Sequence, residues 1–305
     1  TIITARSCPF ACTFCRYHDI PYRARSVENI MEEIKELYEK YEFNILIIGD
    51  ELFAVNKKRM VEFCEALIEA KEKYGWDFDW MFQTHPSAKL DKETLGLAKE
   101  SGCYFFSYGI ESASSKVLES MNKKSNVGGL EKAVALARET GIGFGGNLIF
   151  GDPAESPETV YESLDFFQKY GWDNQIFTSL LQPYPGNALF DSCVERGMIP
   201  DKEDYYENIG GQVFNMTHLS NDQWIPYINF FGILEGLWLN VPSTTGMVEE
   251  DEEENPISKF HRITMHKVSA TCPHCGAGST YREMWDEAPM YLGTGCQSCN
   301  RRVKV

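Results

Sequence analysis

The chain has 305 residues, 43% of them hydrophobic, and a formal net charge of −16. That length and apolar content suffice for one large core with a small appendage. The acidic balance argues against a broad nucleic-acid footprint, which needs clustered Lys and Arg. No secretory signal and no bilayer-length apolar run is visible, so the expected setting is cytoplasmic, with no membrane.

"TIITA" opens the chain as a short β-branched strand and leads into "SCPFACTFCRY", Ser7 to Tyr17, where three cysteines crowd one loop. Residues 26–41 place Val27, Ile30, Met31, Ile34 and Leu37 on one helical face. Ser26 is the expected N-cap, and Asn29 sits where a capping box would have Glu or Gln. "FNILIIG" is an apolar run suited to a strand covered on both faces. Helix 57–74, strand "DFDWMFQ", helix 91–101 and strand "YFFSYGI" follow. Helices near 114–121 and 128–140, strand "GFGGNLIF", helix 157–170 and strand "NQIFTSLLQ" complete the series.

These are six strand–helix units of about 30–40 residues, the size of βα repeats. Right-handed crossovers bend them into a parallel array, and six are too few for eight-stranded closure. The predicted fold class is α/β: a partial (β/α)6 TIM-like barrel with a small C-terminal four-cysteine metal ribbon. The expected organisation is the barrel over 1–190, a helical C-terminal extension over 191–248, an acidic linker over 249–256 and the ribbon over 257–305. The apolar window "INFFGILEGLWLNV" reads as a buried helix near 221–240, and Glu249 to Glu254 as solvated linker.

Ten cysteines in a chain without an export signal point to metal ligands in a reducing compartment. Cys8, Cys12 and Cys15 form one cluster, and Cys272, Cys275, Cys296 and Cys299 another. Cys64, Cys103 and Cys193 are scattered and read as small buried hydrophobes. Three thiols at CxxxCxxC leave a tetrahedral metal one ligand short. Zinc with His18 as fourth ligand is one reading. A four-iron four-sulfur (4Fe-4S) cluster is the other: three thiolates hold three irons and the fourth iron keeps an open position.

Cys8, Cys12, Phe14 and Cys15 match CxxxCxΦC, with Φ aromatic, and so resemble the radical S-adenosylmethionine (SAM) superfamily. The resemblance implies that SAM chelates the open iron and that reductive cleavage gives a 5′-deoxyadenosyl radical, which abstracts hydrogen from substrate. Further motifs lie where a parallel barrel puts a site, at the C-terminal ends of strands. "GDELF" is similar to the family's acidic motif, with Asp50 and Glu51 both candidates for the SAM ammonium. "GIES" supplies Glu111 and Ser112 as the SAM-contacting pair. In "NLIFGDPAES", Ile149 is the expected adenine contact, Gly151 allows close backbone approach, and Glu155 is a support for the loop. "QPYPGN", with Pro183 and Tyr184, resembles the PYPGT turn of one subgroup.

These motifs span about residues 1–190 and are similar to the core of the cobalamin-dependent subgroup of porphyrin-ring cyclases and C-methylases. The sequence departs from that pattern. It has no cobalamin-binding domain or DxHxxG-like segment, His85 stands where relatives often have Arg, Asn187 stands for Thr, and "FGDPAES" replaces "GLPGET". Cobalamin therefore stays open and is not supported by these residues. Substrate-side candidates are Tyr17, His18, His85 and Tyr108, since a histidine at a barrel mouth can relay protons.

"CPHCGAG" and "GCQSCNRR" give two CxxC knuckles twenty residues apart, the spacing of a four-thiolate zinc ribbon. Iron, as a mononuclear site or an auxiliary cluster, is the alternative metal, and His274 is a spectator. The function expected is reductive SAM cleavage and hydrogen abstraction from a small-molecule or peptide substrate, ending in methylation, cyclisation or rearrangement. An electron donor such as flavodoxin or ferredoxin is implied. The alternatives are a tRNA-modifying methylthiotransferase-like enzyme and a non-catalytic metal-ribbon adaptor.

Overall fold

The computed structural model describes residues 1–15, 20–55, 57–88, 90–171, 174–207, 215–238, 245–255, 263–273, 275–285, 293–295, 298 and 302–304. β1 (Ala5–Arg6) and β2 (Arg23–Ala24) pair as a short antiparallel ribbon that closes the base of the cysteine loop. Then come α1 (Val27–Tyr41), β3 (Ile45–Ile47), α2 (Lys57–Tyr74), β4 (Asp79–Thr84), α3 (Lys92–Glu100) and β5 (Cys103–Glu111). α4 (Ser115–Ser120), α5 (Val127–Thr140), β6 (Gly143–Phe150), α6 (Pro157–Tyr170) and β7 (Gln175–Leu180) complete the alternation. Strands β3 to β7 form one parallel sheet in sequence order. The opening strand adds a sixth member through a single parallel bridge, Ile2 to Ile48, with the Gly49 amide donating to the Ile2 carbonyl at 2.8 Å. Sequential parallel strands joined by helices are the expected (β/α)6 arrangement.

Local chemistry explains the elements. Ser26 caps α1 by accepting from the Asn29 amide at 3.2 Å. Asn29 does not reciprocate as a capping box would; its side-chain oxygen accepts from Arg25 Nε at 2.8 Å. Ile30 and Ile34 of α1 and Phe63 and Leu67 of α2 bury against Trp80, Phe82, Phe106 and Phe144 of the sheet. Phe106 stacks on Phe82 with centroids 5.6 Å apart and meets Phe144 edge-on at 5.6 Å, contacts worth about 1 kcal/mol each beyond area burial. Cys64, Cys103 and Cys193 are buried, as expected of small hydrophobes.

Two expectations need correction. β3 is not covered on both faces: Leu46 and Ile48 are buried, whereas Ile47 is 38% exposed. The same alternation marks β4 and β7, because helices cover only the outer face and the inner face opens into the barrel. The acidic run is not a linker either. It lies on β8 (Thr245–Asn255), which pairs antiparallel with β9 (Ile263–Thr271), and β9 pairs with β10 (Gly278–Trp285). The register sets Glu250 opposite Lys267 and Glu252 opposite His266. Before it lie α7 (Ala188–Glu195), α8 (Lys202–Glu207) and α9 (Asn221–Trp238), the last matching the expected apolar helix. A second hairpin joins β11 (Gly293–Gly295) to β12 (Arg302–Lys304). No described helix is long and apolar enough to cross a membrane.

The turn from β6 to α6 hangs on one carboxyl. Glu155 is buried, accepts from the Gly151 amide at 3.0 Å and from Thr159 Oγ1 at 2.9 Å, and burial pushes it up to about 7. The folded chain therefore keeps this proton to higher pH than the unfolded chain does. Between about pH 4.5 and 7 folding takes up a proton, so this group's contribution to stability falls as pH rises through that window. Glu155→Gln, which cannot ionise, is expected to flatten that fall. Melting temperatures of both proteins at pH 5 and pH 8 check it: the variant should gain on the native chain at the higher pH.

Candidate functional site

The cysteine loop is sewn to the C-terminal ends of the strands from several sides. Thr13 N donates to Met121 O at 3.0 Å, and Asn122 Nδ2 donates to Ala11 O at 2.6 Å, which ties the loop to the segment after α4. Leu189 N donates to Thr13 O at 3.0 Å, and Asn187 Nδ2 donates to Phe14 O at 2.7 Å, which ties it to the turn after β7. Asn187 also caps α7, accepting from Phe190 N at 2.8 Å. Inside the loop the Cys15 amide donates to the Cys12 carbonyl at 3.0 Å. Ser7 enters it with a left-handed φ of 72°, its hydroxyl donating to Ile20 O.

The three thiols share one electrostatic neighbourhood. Burial raises Cys8, and the charges of Cys15 and Glu51 add to it. Burial pushes Cys12 up to about 11, opposed by the nearby Lys123 ammonium. Left alone, Cys8 and Cys12 stay protonated at neutral pH; a bound cationic centre is what makes thiolates of them. Among the described residues, no three Cys, His, Asp or Glu side chains converge on the position of a single metal ion. A cubic cluster suits this loop better, because each thiolate then meets a different iron. The chain's residues fit a 4Fe-4S cluster held by Cys8, Cys12 and Cys15.

The two candidate acids after β3 separate clearly. Asp50 is buried and accepts from Thr4 N at 2.6 Å and from Thr4 Oγ1. It fastens the opening strand. Glu51 is half-buried and accepts from the Ser7 amide at 3.2 Å, beside Cys8.

Glu111 ends β5 with φ 61° and forms a buried ion pair with Lys123 at 2.8 Å. Gly109 makes room for it: a Cβ there would lie 2.5 Å from Glu111 Oε1 and 2.6 Å from Lys123 Nζ. Lys123 escaped the sequence analysis. "NKKSN" reads as an ordinary solvated turn, and only burial distinguishes its first lysine from Lys124. Ser112 is brought elsewhere: its hydroxyl lies 3.1 Å from that of Ser163 and accepts from Ser114 N, anchoring the turn to α6.

Phe14 and Ile149 pack against one apolar cluster with Val117, Met121 and Leu181. Gly151 has φ 107°, which favours glycine whatever the space around it. Pro183 is buried and its carbonyl accepts from Tyr205 OH at 2.9 Å, whereas the Tyr184 side chain is exposed.

His85 is buried beneath the loop, stacked on Phe10 with centroids 4.0 Å apart. Burial, then Lys123, lowers it to about 3, so it is neutral at ordinary pH. Tyr108 is also a correction. With Phe106 and Ile110 it occupies the helix-covered face, against Phe106 and Phe144, and does not look into the barrel. Tyr17, His18, His274, Cys296 and Cys299 lie outside the described residues. Cys272 is buried in the β9–β10 turn, where the Gly276 amide donates to its carbonyl at 2.9 Å and its own amide donates to Ala277 O at 2.9 Å.

The chain is 30% identical over 225 residues to an uncharacterized methyltransferase of Pyrococcus horikoshii, covering 73% of this chain and 48% of that protein. It is 29% identical over 206 residues to the anaerobic magnesium-protoporphyrin IX monomethyl ester cyclase of Cereibacter sphaeroides, covering 66% and 33%. The chain thus spans from a third to about half the length of these relatives. The radical S-adenosylmethionine methyltransferase TsrM of Kitasatospora setae shares the fold, with a TM-score of 0.57 at 21% identity over 64% of this chain and 36% of that one. The profile of the Radical SAM superfamily matches residues 2–167, and the chain belongs to that superfamily.

Proposed function

We propose that this chain binds a 4Fe-4S cluster through Cys8, Cys12 and Cys15 and uses it to cleave SAM reductively, initiating hydrogen abstraction from a substrate. The observation that carries the reading is the stitched loop: three cysteines on a segment hydrogen-bonded to the segments after α4 and β7, with Glu51, Glu111 and the buried Lys123 acting electrostatically on its thiols. When bound, the cluster and SAM supply an electron and a sulfonium, whose broken sulfur–carbon bond yields methionine and a 5′-deoxyadenosyl radical. The chain's own residues bind and orient. Glu51 is placed to accept from an ammonium beside Cys8. Lys123, held by Glu111, is placed to meet a carboxylate. Phe14, Ile149 and the bare backbone at Gly151 offer an apolar, close-approach surface to a flat base. The Asp50 carboxylate is spent on Thr4 and has a structural role.

Methylation and cyclisation are supported as outcomes by the methyltransferase and cyclase among the relatives. The TsrM structure holds cobalamin with its cluster, so cobalamin belongs among the cofactors to be tested. A reduced flavodoxin or ferredoxin suits the electron input, and a cytoplasmic setting suits an oxygen-sensitive cluster.

Anaerobic reconstitution with iron and sulfide, followed by SAM and dithionite, is expected to release 5′-deoxyadenosine or a methylated product, read by chromatography. Each of Cys8→Ala, Cys12→Ala and Cys15→Ala should reduce product to background, while Cys64→Ala keeps it. Product from the triple-alanine chain would defeat the reading.

The two acids are expected to respond differently. Asp50→Asn sets an amide donor against one of the Thr4 donors and should cost about 1–3 kcal/mol of stability. Glu51→Gln should leave the melting temperature in place and weaken SAM binding by about tenfold or more, the scale of a lost charge-assisted hydrogen bond. Calorimetric melting and SAM equilibrium dialysis distinguish the two.

For the C-terminal module we propose a structural zinc held by Cys272, Cys275, Cys296 and Cys299. The tight turn at Cys272, with Gly276 at φ 72°, has the form of a metal-binding knuckle, and β11–β12 offers a second hairpin. Elemental analysis should find one zinc per chain, lost in Cys272→Ser without loss of loop iron. Iron in place of zinc would change the metal assigned.

A further inference from the structure

The inner face of the sheet is open, and its chemistry is uniform. Between Asp79 at the foot of β4 and the Glu111–Lys123 pair at the top, no described strand residue on this face is a carboxylate, histidine, lysine or arginine; Tyr104 adds a phenol that donates to Met81 Sδ at 3.2 Å. Its floor is flat. Phe105 lies over the β6 backbone, where a Cβ on Gly143 would stand 3.0 Å from its ring and one on Gly145 2.5 Å. Phe177 of β7 is 41% exposed and is in register with Asn147 of β6, itself exposed. Gln83 of β4 is exposed on the same face. Asn147 lies four residues below Gly151, so about 13 Å of strand joins this floor to the thiol-loop site.

We propose that the substrate is an uncharged molecule with a flat ring system, stacked over Phe105 and Phe177, with polar groups read by the side-chain amides of Gln83 and Asn147. The proposal rests on the reading of the thiol loop as the reactive centre, since it assigns what that centre acts on. Three physical points support it. A charged group entering this face between Asp79 and the Glu111–Lys123 pair loses hydration and finds no counter-charge among the described strand residues, a cost of several kcal/mol. Primary amides both donate and accept, and so match neutral polar groups. Glycines under an aromatic ring leave height for a planar guest and little to grip a branched aliphatic one.

The test uses the full chain under anaerobic conditions and three matched ligands: naphthalene-2-carboxamide, naphthalene-2-carboxylate and 2-naphthylmethylammonium. Equilibrium dialysis should show the neutral carboxamide binding at least about tenfold more tightly than either ion. Asn147→Asp, at an exposed position, should weaken the carboxamide and favour the ammonium. Phe105→Leu should weaken all three. Equal or tighter binding of an ion, no binding of the carboxamide at millimolar concentration, or unchanged selectivity in Asn147→Asp would overturn the proposal. Because the assay needs no SAM cleavage, the two readings fail separately. A chain that selects the neutral ring but makes neither 5′-deoxyadenosine nor a methylated product refutes the catalytic reading, and an active chain without selectivity refutes this one.

Discussion

Everything in this site depends on holding a short loop of thiols in one place before any metal arrives. A loop free in water would have to lose its conformational freedom on binding the cluster, at about 1–2 kcal/mol per ordered residue. Here much of that ordering is already done. The β1–β2 ribbon closes the base, and four hydrogen bonds pin the tip to the segments after α4 and β7. Those segments follow different strands, so the parallel sheet sets the loop's position and the loop in turn draws the strand ends together. Asn187 serves both sides at once, capping α7 and donating to the Phe14 carbonyl. The amide does this with two separate atoms, Nδ2 donating to the loop and Oδ1 accepting from the helix.

The framework was largely legible in the residues. Helices α1, α2, α5 and α6 follow the apolar period closely, and Ser26 and Asn126 cap α1 and α5 with their side chains. The strands were found, but not their inner and outer faces. Apolar runs such as "FNILIIG" and "YFFSYGI" have a hydrophobic residue at almost every position, so alternation cannot be read from them. Which half is covered depends on where the helices pack. That is why Ile47 was expected inside and stands exposed, and why Tyr108 was expected at the mouth and lies in the core.

Charge at the site was less legible, because it depends on partners far away in the chain. Asp50 and Glu51 are adjacent and chemically alike. What separates them is that Thr4, on the opening strand, presents both its amide and its hydroxyl to Asp50. Lys123 has no motif of its own. Its placement follows from α4 ending at Ser120, from Asn122 taking φ 50°, and from the space that Gly109 leaves. Burial of His85 under Phe10 likewise turns an expected proton carrier into a neutral flat support for the loop.

The Glu111–Lys123 pair is best understood from its cost. A buried ion pair is weak evidence of stabilisation, because desolvating both ions roughly cancels their attraction, and apolar residues of similar size often serve stability as well. A pair that only held the fold together would be poorly placed at the end of a strand, in a left-handed conformation, over a glycine. Its position makes sense if the ammonium must stay charged beside thiols and be ready for an anionic group. Glu111 pairs with Lys123 at 2.8 Å, and the charge of Lys123 opposes the rise that burial imposes on Cys8 and Cys12. Charge is thus concentrated at the rim of the barrel, where the thiols are, while the described strand residues of the face below carry none until Asp79 at its foot. The division matches a centre that binds a charged cofactor at the top and a neutral substrate beneath it.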